Sequence, residues 1–190
     1  MINLPNKLTI LRIILIPVIL ILLLPVYSGK MLLPYSVEVS RTAAAVIFVL
    51  AALTDMLDGA IARKRNCVTT FGKFLDPIAD KLLVISSLIA LVQLGEVSAW
   101  AVVIIIAREF IVTGIRILAA NDGVVIAASG PAKIKTFSQM AAILLILINN
   151  FPFSLFIDVP IGQILLWIAV ILTIYSGYYY LKANKDRIKG

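Results

Sequence analysis

Long apolar runs recur along this chain, and they restrict it to folds whose exterior is as apolar as the interior. Between Leu8 and Val26 the only charged residue is Arg12. Comparable runs follow over residues 39–57, 78–94, 98–119, 134–150 and 157–182. Each is close to the roughly 20 residues that carry a helix across a bilayer. Lipid offers the backbone no hydrogen-bond partners, so a segment of this kind must close its own bonds as a helix. The runs therefore predict an all-α integral membrane protein of six transmembrane helices, organised as a single domain over residues 1–190. Pro25, Ser28, Gly29 and Pro34, then Gly95 and Glu96, then Asn149, Asn150 and Pro152 punctuate the spans where turns are needed. Pro17 falls inside the first span, where it should bend the helix. That span lacks a small-residue cleavage site and reads as uncleaved.

Composition agrees and narrows the chemistry. Hydrophobic residues make up 62% and charged residues 14%, against about 45–50% and about 25% in soluble domains. The mean hydropathy is +1.07. Histidine is absent and Cys67 is the only cysteine, which excludes imidazole bases, His or Cys zinc sites and intrachain disulfides. Catalysis or binding is left to carboxylates, Lys, Arg, hydroxyls and metals held by oxygen.

The cations orient the chain. With six spans both termini share one face, and of the 17 Lys and Arg residues only Lys30 and Arg41 fall toward the other. The positive-inside bias then puts both termini in the cytoplasm. The net charge of +7 follows from that topology and from attraction to anionic lipid. It does not indicate nucleic acid, because the cations flank spans instead of forming a patch on a soluble domain. The tail from Lys182 to Lys189 reads as an anchor of this kind, and Tyr175, Tyr178, Tyr179 and Tyr180 as an interfacial aromatic belt with Gly177 available for close helix packing.

The informative stretch runs from Asp55 to Asp80. Asp55 and Asp58 are three apart near the cytoplasmic end of the second span, and Asp76 and Asp80 are four apart at the start of the third. Each spacing stacks two carboxylates on one helix face. Any one of them reads as a snorkelling charge at a helix end, but four together mark a functional site. They would repel unless cations joined them, and oxygen-only ligands favour Mg²⁺ or Mn²⁺. Two such ions are a common clamp for a phosphoryl group. Gly59 and Ala62 leave a shallow strip for close approach of a ligand, and Arg63 offers a fork for phosphate oxygens. Gly72, Asp76 and Asp80 form a second row. Pro77 either starts the third helix with Asp76 as its cap or kinks a continuous one.

The pattern Asp-x2-Asp-Gly-x2-Ala-Arg-x8-Gly-x3-Asp-x3-Asp resembles the motif of the CDP-alcohol phosphotransferases, and Asp55, Asp58, Gly59, Ala62, Arg63, Gly72, Asp76 and Asp80 all match it. The resemblance implies a six-helix membrane fold, usually a homodimer, that moves a phosphoalcohol from a CDP-activated donor to an acceptor hydroxyl and releases CMP. It implies that Asp55, Asp58 and Asp76 hold two metal ions, with Asp80 as a shared ligand or as the catalytic base. It further implies that Gly59, Ala62 and Arg63 receive the cytidine diphosphate, with Gly72 and Lys73 beside them.

Further polar residues bear on the acceptor. Arg108 and Glu109 interrupt the fourth span, Arg116 stands two turns on, and Lys133 and Lys135 open the fifth. Arg108 with Glu109 also reads as a structural pair, and the two lysines as topology signal. Taken together the four cations suit an anionic acceptor, since guanidinium forks match phosphate. Leu4–Arg12 with Pro17, Ala107–Arg116 and Lys133–Gln139 resemble the bacterial branch of the same family that makes phosphatidylglycerophosphate. That implies CDP-diacylglycerol as donor, sn-glycerol 3-phosphate as acceptor, a site at the cytoplasmic face of the cell membrane, and Asn6, Thr9 and Arg12 near the nucleotide or phosphate entrance. Inositol phosphate, phosphatidylglycerol and serine stay open as other acceptors. A divalent-cation transporter is the competing class, although such sites favour the midplane between repeats.

Overall fold

The structure, a computed structural model, describes residues 4–24, 36–65, 70–121 and 130–183. Six α-helices follow in order: α1 Leu4–Leu23, α2 Val37–Arg65, α3 Thr70–Gln93, α4 Ala99–Asn121, α5 Gly130–Leu147 and α6 Ile161–Ala183. A 3-10 turn at Phe153–Leu155 precedes α6, and no strand occurs among the described residues. Cys67, between α2 and α3 in the sequence, lies outside them.

Among the described residues three helices are long and apolar enough to cross a membrane, over Asn6–Leu23, Val37–Thr54 and Ile161–Ala183. The expectation of six helices holds, but length and apolarity single out only half of them. The physical reason is charge. α3 carries Lys73, Asp76, Asp80 and Lys81 in its first half, and α4 carries Arg108, Glu109 and Arg116. In α5 the apolar part is shorter, Ile134–Leu147.

Two boundaries differ from the sequence reading in a way that matters. α2 runs on to Arg65, and α3 begins at Thr70, ahead of Pro77. Asp76 is therefore not a cap, and every specified position of the acidic motif lies in α2 or α3. The 29 residues of α2 extend about 44 Å at 1.5 Å per residue. Its apolar part ends at Thr54, so residues 55–65 continue about 16 Å beyond the segment that lipid can cover.

α1 packs on α2 and α3, α5 on α6, and α6 on α4. On α1 the buried positions Asn6, Thr9, Arg12, Ile16, Ile19 and Leu23 repeat at three and four residues and form one stripe. Ala44, Ala45 and Ala51 on α2 are small and buried, which lets the backbones approach. Phe48, Leu83, Leu88, Leu91, Ile105, Ile143 and Leu147 fill the centre. Outside, Trp100, Phe137, Phe156 and Ile171 are at least 64% exposed, the apolar exterior that lipid would cover.

The end of the bundle at the start of α2 is closed by polar contacts. Arg41 pairs with Glu96 through both carboxylate oxygens, one at 2.8 Å. It also donates to the carbonyls of Ile146 at 2.7 Å, which Asn149 N–H shares, and of Leu147 at 3.2 Å, both at the C-terminus of α5. Gly95, at φ +77°, ends α3 in a Schellman turn, with Glu96 N–H on Leu91 O and Gly95 N–H on Val92 O, both 3.0 Å. Asn150 Oδ1 accepts from Gly162 N–H at 2.6 Å and so starts α6.

Candidate active site

Asp55, Asp58, Gly59, Ala62 and Arg63 lie on the last turns of α2, and Gly72, Lys73, Asp76 and Asp80 on the first turns of α3. At 3.6 residues per turn, Asp55 and Asp58 share a face, as do Gly72, Asp76 and Asp80. The side chains of Asp55, Asp58, Arg63, Lys73, Asp76 and Lys133 lie outside the described set. Gly72 is buried and Asp80 half-buried. Asp80 lines a small cavity of ≈20 Å³ with Lys81, Glu109, Lys135, Thr136 and Gln139, closed below by Val84, Ile85 and Ile105. α3, α4 and α5 thus bring acid, cation and amide groups to one point beneath the motif.

The charged residues there are connected. Glu109 Oε1 accepts from Lys135 Nζ on α5 and from its neighbour Arg108 Nη1, the latter at 3.1 Å. The Lys135 side chain is 3% exposed and Glu109 18%. Burial of this kind requires the pairing, since an isolated ion in a helix bundle costs several kcal/mol. Lys81 Nζ donates to Thr113 Oγ1, which donates in turn to the Glu109 carbonyl at 2.7 Å. Gln139 Nε2 donates to Thr173 Oγ1 at 3.3 Å.

The two arginines of α4 rest on α6. A Cβ placed on Gly177 would lie 3.1 Å from Arg108 Cγ, and the Arg116 guanidinium sits 5.8 Å from the Tyr180 ring centroid. That distance is within the range of a cation–π contact. Nε of Arg108 and of Arg116 is buried without a hydrogen-bond partner among the described residues. Asn6, Thr9 and Arg12, at 5%, 0% and 0% exposure, lie in the packed stripe of α1 that faces α2 and α3.

Of the residues singled out in sequence, Asp80, Arg108 and Lys135 are thus drawn into one neighbourhood, with Arg116 against Tyr180 on the adjoining α6. Reading the sequence missed Glu109 as the group joining Arg108 to Lys135, and missed Lys81 and Thr113 altogether. A signal existed: Glu109 is the one acid in a helix whose other charges are both arginines. The tyrosine belt also divides. Tyr175, Tyr178 and Tyr179 are more than half exposed, whereas Tyr180 is 5% exposed and turns inward with Gly177.

Beside the small cavity an apolar groove of ≈270 Å³ runs between α3 and α4, lined by Ile78, Leu82, Ile85, Phe110 and Thr113. Lys81 and Glu109 belong to both walls. A polar cluster and an open apolar channel are therefore contiguous, an arrangement suited to a ligand with a charged head and a hydrocarbon tail.

Comparison with known proteins gives this geometry a family. The CDP-alcohol phosphatidyltransferase family model matches residues 2–175. A Bacillus subtilis protein named CDP-diacylglycerol–glycerol-3-phosphate 3-phosphatidyltransferase is 46% identical, covering 100% of this chain and 98% of its own length. A Rickettsia typhi protein of the same name is 47% identical over 96% of this chain and 97% of its own. A Mycobacterium tuberculosis protein named probable phosphatidylglycerophosphate synthase is 38% identical over 97% of this chain and 83% of its own. The chain belongs to the CDP-alcohol phosphatidyltransferase family.

Proposed function

We propose that this chain transfers the phosphatidyl group from CDP-diacylglycerol to sn-glycerol 3-phosphate, giving phosphatidylglycerophosphate and CMP. The observation that carries the reading is the shared wall of Lys81 and Glu109 between a polar cavity holding Asp80 and Lys135 and an apolar groove. One substrate is a lipid and the other a water-soluble anion, and the site offers each its own surface. The names of relatives matched over nearly their full length support the choice of donor and acceptor.

Asp55, Asp58, Asp76 and Asp80 would hold Mg²⁺ or Mn²⁺, in a two-ion site. Their donor set is all carboxylate, on one face of each of two successive helices, and this fits a hard divalent cation and no softer one. When bound, such ions neutralise the diphosphate and stabilise the phosphate of departing CMP. Gly59, Ala62, Arg63, Gly72 and Lys73, with Asn6 and Thr9, receive the nucleotide end of the donor. Arg108, Arg116, Lys133 and Lys135 bind the acceptor phosphate and orient its free hydroxyl. Asp80 takes the proton of that hydroxyl as its oxygen forms a bond to the lipid-side phosphorus. The bond from that phosphorus to the CMP oxygen breaks in line, and CMP leaves with the electron pair. A free aspartate of pKa about 3.9 is a weak base for an alcohol, so positioning and electrostatics supply most of the acceleration.

In this reading all six helices span the plasma membrane, both termini lie in the cytoplasm, and the chain is one domain that forms a homodimer. α3 to α5 then owe their place in the bilayer to packing against the more apolar helices and to charges turned inward. The test is CMP release by purified protein given CDP-diacylglycerol and Mg²⁺ or Mn²⁺, with glycerol 3-phosphate, inositol phosphate, phosphatidylglycerol or serine in turn. Release that requires glycerol 3-phosphate and stops with EDTA supports the reading. Release with another acceptor alone keeps the family and removes the acceptor assignment. Mn²⁺ uptake by proteoliposomes, with no release under any condition, would favour a transporter.

A further inference from the structure

We infer that Glu109 is a positioning residue for the acceptor: its carboxylate fixes Lys135 and Arg108 so that both present their charge to an incoming phosphate. The inference rests on the proposed reading that the acceptor is phosphorylated. Glu109 is the only acid on α4, and a single oxygen, Oε1, takes hydrogen bonds from a cation on its own helix and from one on α5. Neither cation is used up by this. Arg108 keeps a buried Nε with no partner among the described residues, and Lys135 has three donors in all while lining the cavity it shares with Asp80. The cavity lining sets Lys81 and Lys135 against Asp80 and Glu109, and Arg108, joined to it through Glu109, adds the positive charge that an anion would complete.

The geometry also shows what Glu109 prevents. Lys135 and Asp80 border the same small cavity, and a long flexible ammonium side chain without a fixed counter-ion can take up other geometries. Holding it on Glu109 restricts it to one. Glu109 touches neither reacting atom in this account, so its effect belongs to acceptor binding and not to bond making.

Steady-state kinetics of the purified full chain test this. In Glu109→Gln the KM for glycerol 3-phosphate is expected to rise about tenfold or more, the scale of one lost charge-assisted hydrogen bond. The kcat and the KM for CDP-diacylglycerol should stay within about threefold, since uniform acceptor binding alone is removed. Glu109→Asp, which keeps the charge on a shorter stem, should show a smaller rise in the same direction, and it carries the test if the Gln variant does not fold. Because Glu109 acts in part through Lys135, adding Glu109→Gln to Lys135→Ala should raise the KM by a smaller factor than Glu109→Gln does alone. A folded Glu109→Gln protein with wild-type KM for the acceptor, or effects that multiply in the double variant, overturns the inference. The parent reading fails separately. Wild-type protein silent with glycerol 3-phosphate but active with another phosphorylated acceptor removes the acceptor's identity, and the same KM comparison is then made on that acceptor. Activity with unphosphorylated acceptors only would overturn both.

Discussion

Gly177 on α6 lies directly against Arg108 on α4, close enough that a Cβ there would stand 3.1 Å from Arg108 Cγ. The contact separates stability from function in a testable way. Alanine favours a helix interior over glycine by about 1 kcal/mol, but it would push the arginine stem by a few tenths of an ångström. Gly177→Ala is expected to melt no lower than wild type while its KM for glycerol 3-phosphate rises a few-fold. Thermal unfolding and acceptor titration on the same preparation check both halves.

Arg116 gives a second handle on the same helix pair. Its guanidinium lies 5.8 Å from the Tyr180 ring centroid, and such contacts are worth about 0.5–2 kcal/mol. Tyr180→Phe keeps the ring face and should keep acceptor affinity near wild type. Tyr180→Leu loses it and should raise the acceptor KM about threefold to tenfold.

Asp80 is expected to behave differently from the cations. Asp80→Asn should lower kcat by at least about a hundredfold, the lower range for loss of a positioned proton acceptor. Folding and donor binding should largely survive. A variant retaining a tenth of wild-type turnover would remove Asp80 as the base.

At the other end of the bundle the prediction concerns stability alone. Arg41 is fourteen positions before Asp55, about 21 Å along α2. Arg41→Met leaves Glu96 and the Leu147 carbonyl without this donor and takes one of two donors from the Ile146 carbonyl. The expected loss is about 2 kcal/mol, less than for a fully buried pair because Glu96 keeps 24% of its side-chain exposure. Both KM values should be unchanged in detergent below the melting transition.

Gly162 makes a complementary case. A Cβ there would meet Ile146 Cγ1 at 2.8 Å and the Ile146 backbone nitrogen at 3.0 Å. The backbone atom cannot yield as a side chain can, so Gly162→Ala should cost about 1–3 kcal/mol. Circular dichroism melting in detergent measures it.

These cases show what could be read from residues alone. The helices followed from the apolar runs, because a segment in lipid has no alternative to closing its own hydrogen bonds. The eight motif positions from Asp55 to Asp80 followed from spacing, and those spacings give a common face only on the continuous helices that α2 and α3 turn out to be. Spacing was silent on partners across helices. That Lys135 reaches Glu109 depends on how α4 and α5 are each set against α6, and no local pattern encodes it. Gly177 and Tyr180 look in sequence like part of an aromatic run, and only the rotation of α6 turns them toward Arg108 and Arg116. Length and apolarity alone single out three of the described helices as spans, for a related reason: α3 and α4 carry charged residues in their interiors.

The most direct measurement is mass-spectrometric identification of the lipid made from CDP-diacylglycerol and isotopically labelled sn-glycerol 3-phosphate. The account predicts phosphatidylglycerophosphate carrying the label, formed in equal amount with CMP and absent when EDTA is present. Phosphatidic acid without label, or CMP release with no labelled lipid, would contradict transfer to this acceptor.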